Sequence, residues 1–504
     1  MKRSISSIIK FLGIYILLVS LVLSFSGILL WINISFPTLI VLILMACILP
    51  LFSRMSILNR QEFILTFIVL VFVLHIVSFY LIIPVGWGAD QRVSYIRKIT
   101  ETGSLGILKN YPDEPTYINY PVTWLIASSI NSLTSLGPAG SLLIVYLTAY
   151  ACSILFLWLI IRMIIPNEDF RCLPYLIIII IAISVYFTRP FLDLLPGGMG
   201  ILAVLTSLYL FLKWGRSMIF LIIPLMLIFS IYMAHGLSIY IIVSVLIILA
   251  LIYQLNGFWE KGRHAFVYAL IIFGGTWAYQ LECALFDRFI ISLQSRTEQI
   301  LKAVSTLFER SLTSEVQSQQ IHFMKPFDVI VTLTAYGYLF CLTIAGLFYL
   351  LFKFIKIKDT SIMFPLTVGS ISVPMFTIGL LFAYKGIENA IARYLYIYAT
   401  PFAMISVIVF VYKLISDKKR LATFLLIITF IAGLLSITES FYLPYASIIS
   451  VPDSEKYQQL YYNYYGKQIY IQRYPTCRIY SSNEVIRNNQ SIVYNNGQII
   501  ATFD

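Results

Sequence analysis

Charge is scarce in this chain. Asp, Glu, Lys and Arg together supply 12% of its 504 residues, about half the share usual in a globular protein. That excludes a water-soluble fold, whose surface needs far more polar cover. Cysteine is sparse as well. Six are spread along the chain with no Cys-x-x-Cys spacing, so neither a zinc site nor a disulfide framework organises it. No GxxxxGK[ST] loop, HExxH pair or GxSxG elbow occurs. P-loop ATP hydrolysis, zinc proteolysis and α/β-hydrolase chemistry therefore lack support. Also missing are the ladder of intramembrane charges used by proton-coupled transporters and any internal repeat.

Apolar residues are what the chain has. They make up 60% of it, and the mean hydropathy is +0.88. Only a bilayer acting as solvent suits such a composition. Runs of spanning length occur near 9–31, 35–53, 62–84, 140–163, 172–188, 195–213, 217–234, 236–254, 264–284, 327–352, 361–384, 394–415 and 419–440. The rule of roughly 20 apolar residues per crossing predicts about 13 transmembrane helices. The run at 9–31 is too long for a signal-peptide core and no small-residue cleavage site follows it, so it reads as a retained first span.

The net charge of +12 comes from basic residues scattered among short loops. They set orientation and meet anionic headgroups; no basic aromatic platform for nucleic acid accompanies them. Lys2, Arg3, Lys10, Arg54, Arg60, Lys213, Arg216, Lys261, Arg263, Lys353, Lys356, Lys358, Lys418, Lys419 and Arg420 all fall on one side if 121–136 does not cross. That Ser/Asn-rich segment reads as interfacial or re-entrant. The expected topology has a cytoplasmic amino terminus and an outer carboxyl tail in a multi-pass plasma-membrane protein of bacterial or archaeal type. The domains expected are a transmembrane unit, 1–445, with large outer loops at 85–138 and 285–326, and a small extracytoplasmic tail, 446–504. The 285–326 loop carries a helical apolar stripe and is expected to lie on the outer surface. Smaller outer features are expected at Thr188–Gly198 and at the His235 break. The tail is rich in Tyr, Asn and Gln. Strands are expected there at Ile469–Arg473, Cys477–Tyr480 and Ile492–Tyr494, with a hairpin signal at Asn496-Gly497. The fold class is thus an all-α polytopic membrane protein with a β-containing tail.

The segment from Gly86 to Pro121 is the most telling. Asp90 follows a long apolar run within a few residues of a membrane exit, and an amphipathic helix and a Tyr-Pro-rich loop come next. A carboxylate there can take a proton from an attacking hydroxyl, hold a divalent cation such as Mg2+ or Mn2+, or simply cap a helix. Arg393 opens a late span with Lys385 nearby. The planar guanidinium fork suits a phosphate or diphosphate, although an arginine at a helix lip also snorkels to lipid headgroups. His235, at a Gly-containing helix break, could hydrogen-bond a sugar or a phosphate, or serve structure alone. Asp193 in TRPFLDLLPGG shares the outer face with Asp90 and could join it in a metal site, which needs several oxygen donors.

These features resemble the GT-C superfamily of integral-membrane glycosyltransferases, which includes protein O-mannosyltransferases, oligosaccharyltransferases and aminoarabinose transferases. The resemblance rests on Asp90 in the first large outer loop, the segment ending Glu101-Thr102-Gly103, Tyr111-Pro112 and Tyr120-Pro121, the breaks at Thr188–Pro196 and His235, and Arg393-Tyr394-Leu395-Tyr396 with Pro401. It covers about 60–415. It implies a polyprenyl-phosphate-sugar or polyprenyl-diphosphate donor and inverting transfer at the outer face to a glycan, lipid or protein acceptor. Asp90 matches the loop acid, as base or metal ligand, and Arg393 matches the late-helix arginine that favours donor phosphate. Lys385 would assist it, and His235, Tyr120 and Tyr394 would line the substrate site. Two departures stand out. A large extracytoplasmic domain with a WWD-type motif is missing, and Asp90 is followed by Gln91 rather than a second acid. Competing readings are a lipid-linked glycan polymerase or ligase, a transporter or flippase, and a scaffold without chemistry.

Overall fold

The computed structural model describes residues 2–31, 89–106, 121–134, 136–165, 173–192, 196–213, 237–282, 326–357, 360–384, 389–441, 468–471, 486–487, 490–495 and 498–503. The helices in chain order are α1 (Lys2–Trp31), α2 (Ala89–Thr102), α3 (Val122–Thr134), α4 (Gly137–Ile164), α5 (Leu173–Ala182), α6 (Val185–Leu192) and α7 (Pro196–Lys213). They continue with α8 (Leu237–Leu255), α9 (Trp259–Glu282), α10 (Pro326–Ile357), α11 (Thr360–Tyr384), α12 (Asn389–Asp417) and α13 (Lys419–Phe441). In the tail, β1 (Gln468–Ile471), β2 (Ile486–Arg487), β3 (Gln490–Asn495) and β4 (Gln498–Phe503) pair antiparallel in the order β1-β4-β3-β2.

Seven helices among the described residues are long and apolar enough to cross a bilayer, at Gly140–Ile164, Pro196–Lys213, Ser238–Leu255, Gly337–Ile357, Ser361–Leu380, Leu395–Asp417 and Lys419–Ser436. The chain is a multi-pass helical membrane protein. These seven coincide with runs read from hydropathy. The run at 9–31 falls on α1, and that at 264–284 falls on α9 as far as Glu282. The runs at 35–53, 62–84 and 217–234, the 285–326 loop up to Lys325 and the expected strand at Cys477–Tyr480 lie outside the described residues.

Two expectations are corrected. The run at 172–188 is not one helix: α5 ends at Ala182, and α6 begins at Val185. At the break the Ser184 N–H donates to the Ile181 carbonyl at 2.9 Å, three residues back rather than four, and its hydroxyl donates to the Ile180 carbonyl at 2.8 Å. The segment expected as a Thr188–Gly198 loop is correspondingly helical up to Leu192 and again from Pro196.

Helix α12 is the hub. It packs on α4, α5, α6, α7, α10, α11 and α13, and its side chains from Tyr396 to Phe410 are nearly all buried. Between membrane helices the apolar side chains gain nothing over lipid, so close backbone approach and interhelical hydrogen bonds do the work. Glycines supply the approach. A methyl group on Gly369 of α11 would lie 2.7 Å from the Ser406 Cβ of α12 and 2.8 Å from the Leu347 Cδ2 of α10. One on Gly346 of α10 would lie 3.1 Å from the Phe410 ring. Hydrogen bonds add to this, as between the Tyr338 and Thr429 hydroxyls at 3.0 Å and between those of Tyr150 and Thr188 at 3.3 Å.

One end of the bundle is basic. There the Tyr349 hydroxyl donates to Asp417 Oδ2 at 2.6 Å, Lys353 pairs with the same oxygen, and Lys413 reaches the Ser361 hydroxyl at 3.4 Å. Phe211 at the close of α7 stacks near Phe364 and Tyr268, which brings the start of α11 and the first half of α9 to that end. Lys213, Lys356, Lys419 and Arg420 belong to the same helix ends. The opposite end holds the starts of α7 and α12.

Candidate functional site

Helix α2 is unlike the spans. It is polar, runs for 14 residues, and ends where Gly103 takes φ +64° and gives its N–H to the Ile99 carbonyl at 2.8 Å. Only glycine enters that left-handed region freely, so it stops the helix. Helix α3 is 13 residues long, about 20 Å at 1.5 Å per residue, too short for a hydrocarbon core of roughly 30 Å. That fits the interfacial or re-entrant reading of 121–136. Helices α2 and α3 pack on each other and on α4.

The α2–α3 contact is specific. Tyr95 meets Trp124 edge to face, with centroids 5.8 Å apart and planes at 89°. Asn131 Nδ2 donates to Thr100 Oγ1 at 3.1 Å. Leu125, Ile126 and Leu133 of α3 are left exposed, Leu133 at 84%. Ile144 and Leu155 of α4 are exposed as well.

Asp90 lies in the first turn of α2, and Arg393 and Tyr394 lie near the start of α12. Their side chains, and all of Tyr120, Asp193, His235 and Lys385, lie outside the described residues. Around the start of α12 the described side chains form an aromatic cluster. Tyr186 of α6 stacks on Tyr396 with centroids 4.4 Å apart and planes at 8°. Phe376 of α11 lies 6.0 Å from Tyr396. Tyr150 of α4 packs on Phe187 and Phe191 of α6, at 6.0 and 5.0 Å. Phe191 in turn sits 3.0 Å from where a side chain on Gly198 would start. The packing therefore runs from α2 and α3 through α4 to α6 and on to the start of α12.

One residue of α2 escaped the sequence reading. Arg92 is 6% exposed and is the one charged side chain buried among the described residues. The signal was helical phase. Arg92, Ile96 and Ile99 recur at i, i+4 and i+7, and Val93 and Tyr95 are buried with them. Lys98 and Glu101 take the exposed side and Arg97 is half-buried. Among the described residues, no three His, Cys, Asp or Glu side chains gather as a metal site. Asp90 and Asp193, the carboxylates offered for one, fall outside that set.

No protein-family model matches the sequence, and no curated protein matches it. Among solved structures, the chain is similar to the archaeal oligosaccharyltransferase AglB from Archaeoglobus fulgidus in complex with an inhibitory peptide and a dolichol-phosphate. The identity is 15%, the match covers 79% of this chain and 57% of that one, and the TM-score is 0.38. It is also similar to the apo form of the Archaeoglobus fulgidus oligosaccharyltransferase, at 14% identity over 85% of this chain and 62% of that one, with a TM-score of 0.42. The chain spans less than two thirds of the length of either. Both of those proteins are named as oligosaccharyltransferases.

Proposed function

We propose that this chain is an inverting glycosyltransferase. It moves a sugar from a polyprenyl-phosphate or polyprenyl-diphosphate carrier to an acceptor hydroxyl or amide at the outer face of the membrane. The observation that carries the reading is helix α2. A short polar helix bearing an acid in its first turn is packed against a membrane span instead of crossing beside it. A reaction on a lipid-borne substrate needs such a group at the lip, where the carrier's head emerges and water-soluble acceptors arrive.

The step balances as follows for a hydroxyl acceptor. The acceptor oxygen attacks the anomeric carbon from the face opposite the phosphate. The anomeric C–O bond breaks, and its electron pair goes to the phosphate oxygen. Asp90 takes the acceptor proton, or else holds a cation that the phosphate shares. Negative charge grows on the leaving phosphate, so a cation there helps most in the transition state. Arg393, with Lys385, is the proposed source of that charge. His235, Tyr120 and Tyr394 are proposed to contact the sugar or acceptor.

The test is transfer by purified protein in lipid nanodiscs, from a panel of synthetic polyprenyl-phosphate sugars to glycan, lipid and peptide acceptors. We expect turnover with at least one donor, and no release of sugar when the same sugars are supplied as soluble phosphates. A chelator arm separates the two roles of Asp90: loss of transfer assigns it to a cation, and survival assigns it to the base. Vectorial movement of intact lipid-linked sugar without a new glycosidic bond would favour a flippase instead.

A further inference from the structure

We infer that the Tyr396 hydroxyl is a hydrogen-bond donor to the phosphate of the lipid carrier, one turn below Arg393 and held in aim by Tyr186; this rests on the glycosyl-transfer reading above. Helical phase singles the residue out. At about 100° per residue, Tyr396 is turned about 60° round α12 from Arg393 and lies about 4.5 Å further along the axis. Residues three apart are neighbours on a helix surface. Tyr394 is turned about 100° from Arg393. Tyr398 is committed to packing, since its hydroxyl end fills the space that a side chain on Gly200 of α7 would need. Helix α12 starts at the end of the bundle away from the basic one, so Tyr396 is on the bilayer side of Arg393.

Packing fixes the ring and leaves the hydroxyl to act. Tyr396 is 5% exposed. Tyr186 of α6 covers its ring with planes 8° apart, and Phe376 of α11 approaches at 45°. A ring locked by its neighbours presents its polar tip in one place. Among the described residues nothing bonds the Tyr396 hydroxyl, although buried polar groups are normally bonded. A phenolic O–H given to a phosphate oxygen makes a charge-assisted hydrogen bond. A neutral donor suits this depth, because it carries no charge to desolvate beneath the membrane lip. Depth also narrows the ligand. The sugar of a lipid-linked donor lies on the water side of its phosphate, whereas a group inward of Arg393 meets the phosphate oxygens next to the prenyl chain.

The test uses full-length protein in nanodiscs and a synthetic polyprenyl phosphate without sugar. Its affinity is measured for wild type, Tyr396→Phe, Tyr186→Leu, the double variant and the control Tyr349→Phe, each with its melting temperature. Tyr396→Phe keeps the ring and the stack, so its melting temperature should match wild type while binding weakens by about tenfold, the worth of a hydrogen bond to a charged group. Tyr186→Leu should weaken binding by about threefold on its own and not at all in the Tyr396→Phe background, as expected of a residue that acts through another. Tyr349→Phe, which removes a hydroxyl from the basic end, should match wild type. Uncharged polyprenol should bind wild type and Tyr396→Phe alike. Polyprenyl phosphate affinity of Tyr396→Phe within about twofold of wild type overturns the proposal. An equal loss for polyprenol also overturns it, because the hydroxyl would then serve packing. Equal competition by phosphatidylglycerol or by inorganic phosphate does the same, because the site would then read any phosphate. A wild type that neither binds polyprenyl phosphate nor transfers sugar defeats the glycosyl-transfer reading. A wild type that does both, with a Tyr396→Phe variant that binds equally well, defeats only this one.

Discussion

Asp90→Asn should lower sugar transfer by about 10²–10⁴-fold, the range that a positioned general base contributes. Asparagine keeps the shape and can still cap a helix, but it neither takes a proton nor donates full charge to a cation. The melting temperature should therefore stay near that of wild type while turnover falls. In the base role the affinity for sugar-free polyprenyl phosphate should hold or rise, because a negative charge beside the phosphate is removed; in the cation role it should fall with loss of the shared cation. Asp90→Glu should recover part of the rate in the base role and less in the cation role, where the oxygen positions matter more. Measuring the turnover of Asp90→Asn with a working donor checks the claim. A rate close to that of wild type would remove the residue from the chemistry.

Gly369→Val should have the largest effect on stability. The crossing of α11, α12 and α10 leaves no room there. A first side-chain carbon would stand 2.7 Å from the Ser406 Cβ and 2.8 Å from the Leu347 Cδ2. Forcing extra atoms into a packed core costs typically 1–3 kcal/mol, and here two helices must part to make space. We expect a fall in melting temperature of several degrees or failure to assemble, read by thermal-shift size exclusion in detergent. Gly274→Ala and Gly337→Ala are the controls. A methyl group at either meets nothing within 4 Å, so each should be neutral or gain the helix propensity of alanine, up to about 1 kcal/mol. Equal losses at all three positions would show that the crossing is not the cause.

Apolar length was the most legible property. The spans at Gly140–Ile164, Pro196–Lys213 and Lys419–Ser436 were plain in the sequence, because roughly 20 apolar residues admit few other readings in a chain so poor in charge. The α5–α6 break was not. Ser184 sits in an apolar run where hydropathy barely changes, and only its backbone bond to Ile181, three residues back, shows the bend. The stack of Tyr186 on Tyr396 was hidden for a different reason: its partners are far apart in sequence and meet only through packing. Arg92 was within reach. Reading α2 as amphipathic and then asking which face each cation takes would have found it. The candidate residues themselves are a matter of chemistry more than of fold. Asp90 and Arg393 were singled out by residue type at a membrane exit, and the turnover of Asp90→Asn tests the first of them directly.

The greasy outer side of α3 has a practical consequence. Leu125, Ile126 and Leu133 are exposed, so in a bilayer neighbouring acyl chains would cover them and help to hold the α2–α3 pair. Its height and tilt are then set partly by how thick and how ordered the surrounding leaflet is. Solubilisation in a small micelle removes that support, and the pair that carries Asp90 is the first part of the protein to feel it. Native-thickness lipid is the state in which turnover should be highest.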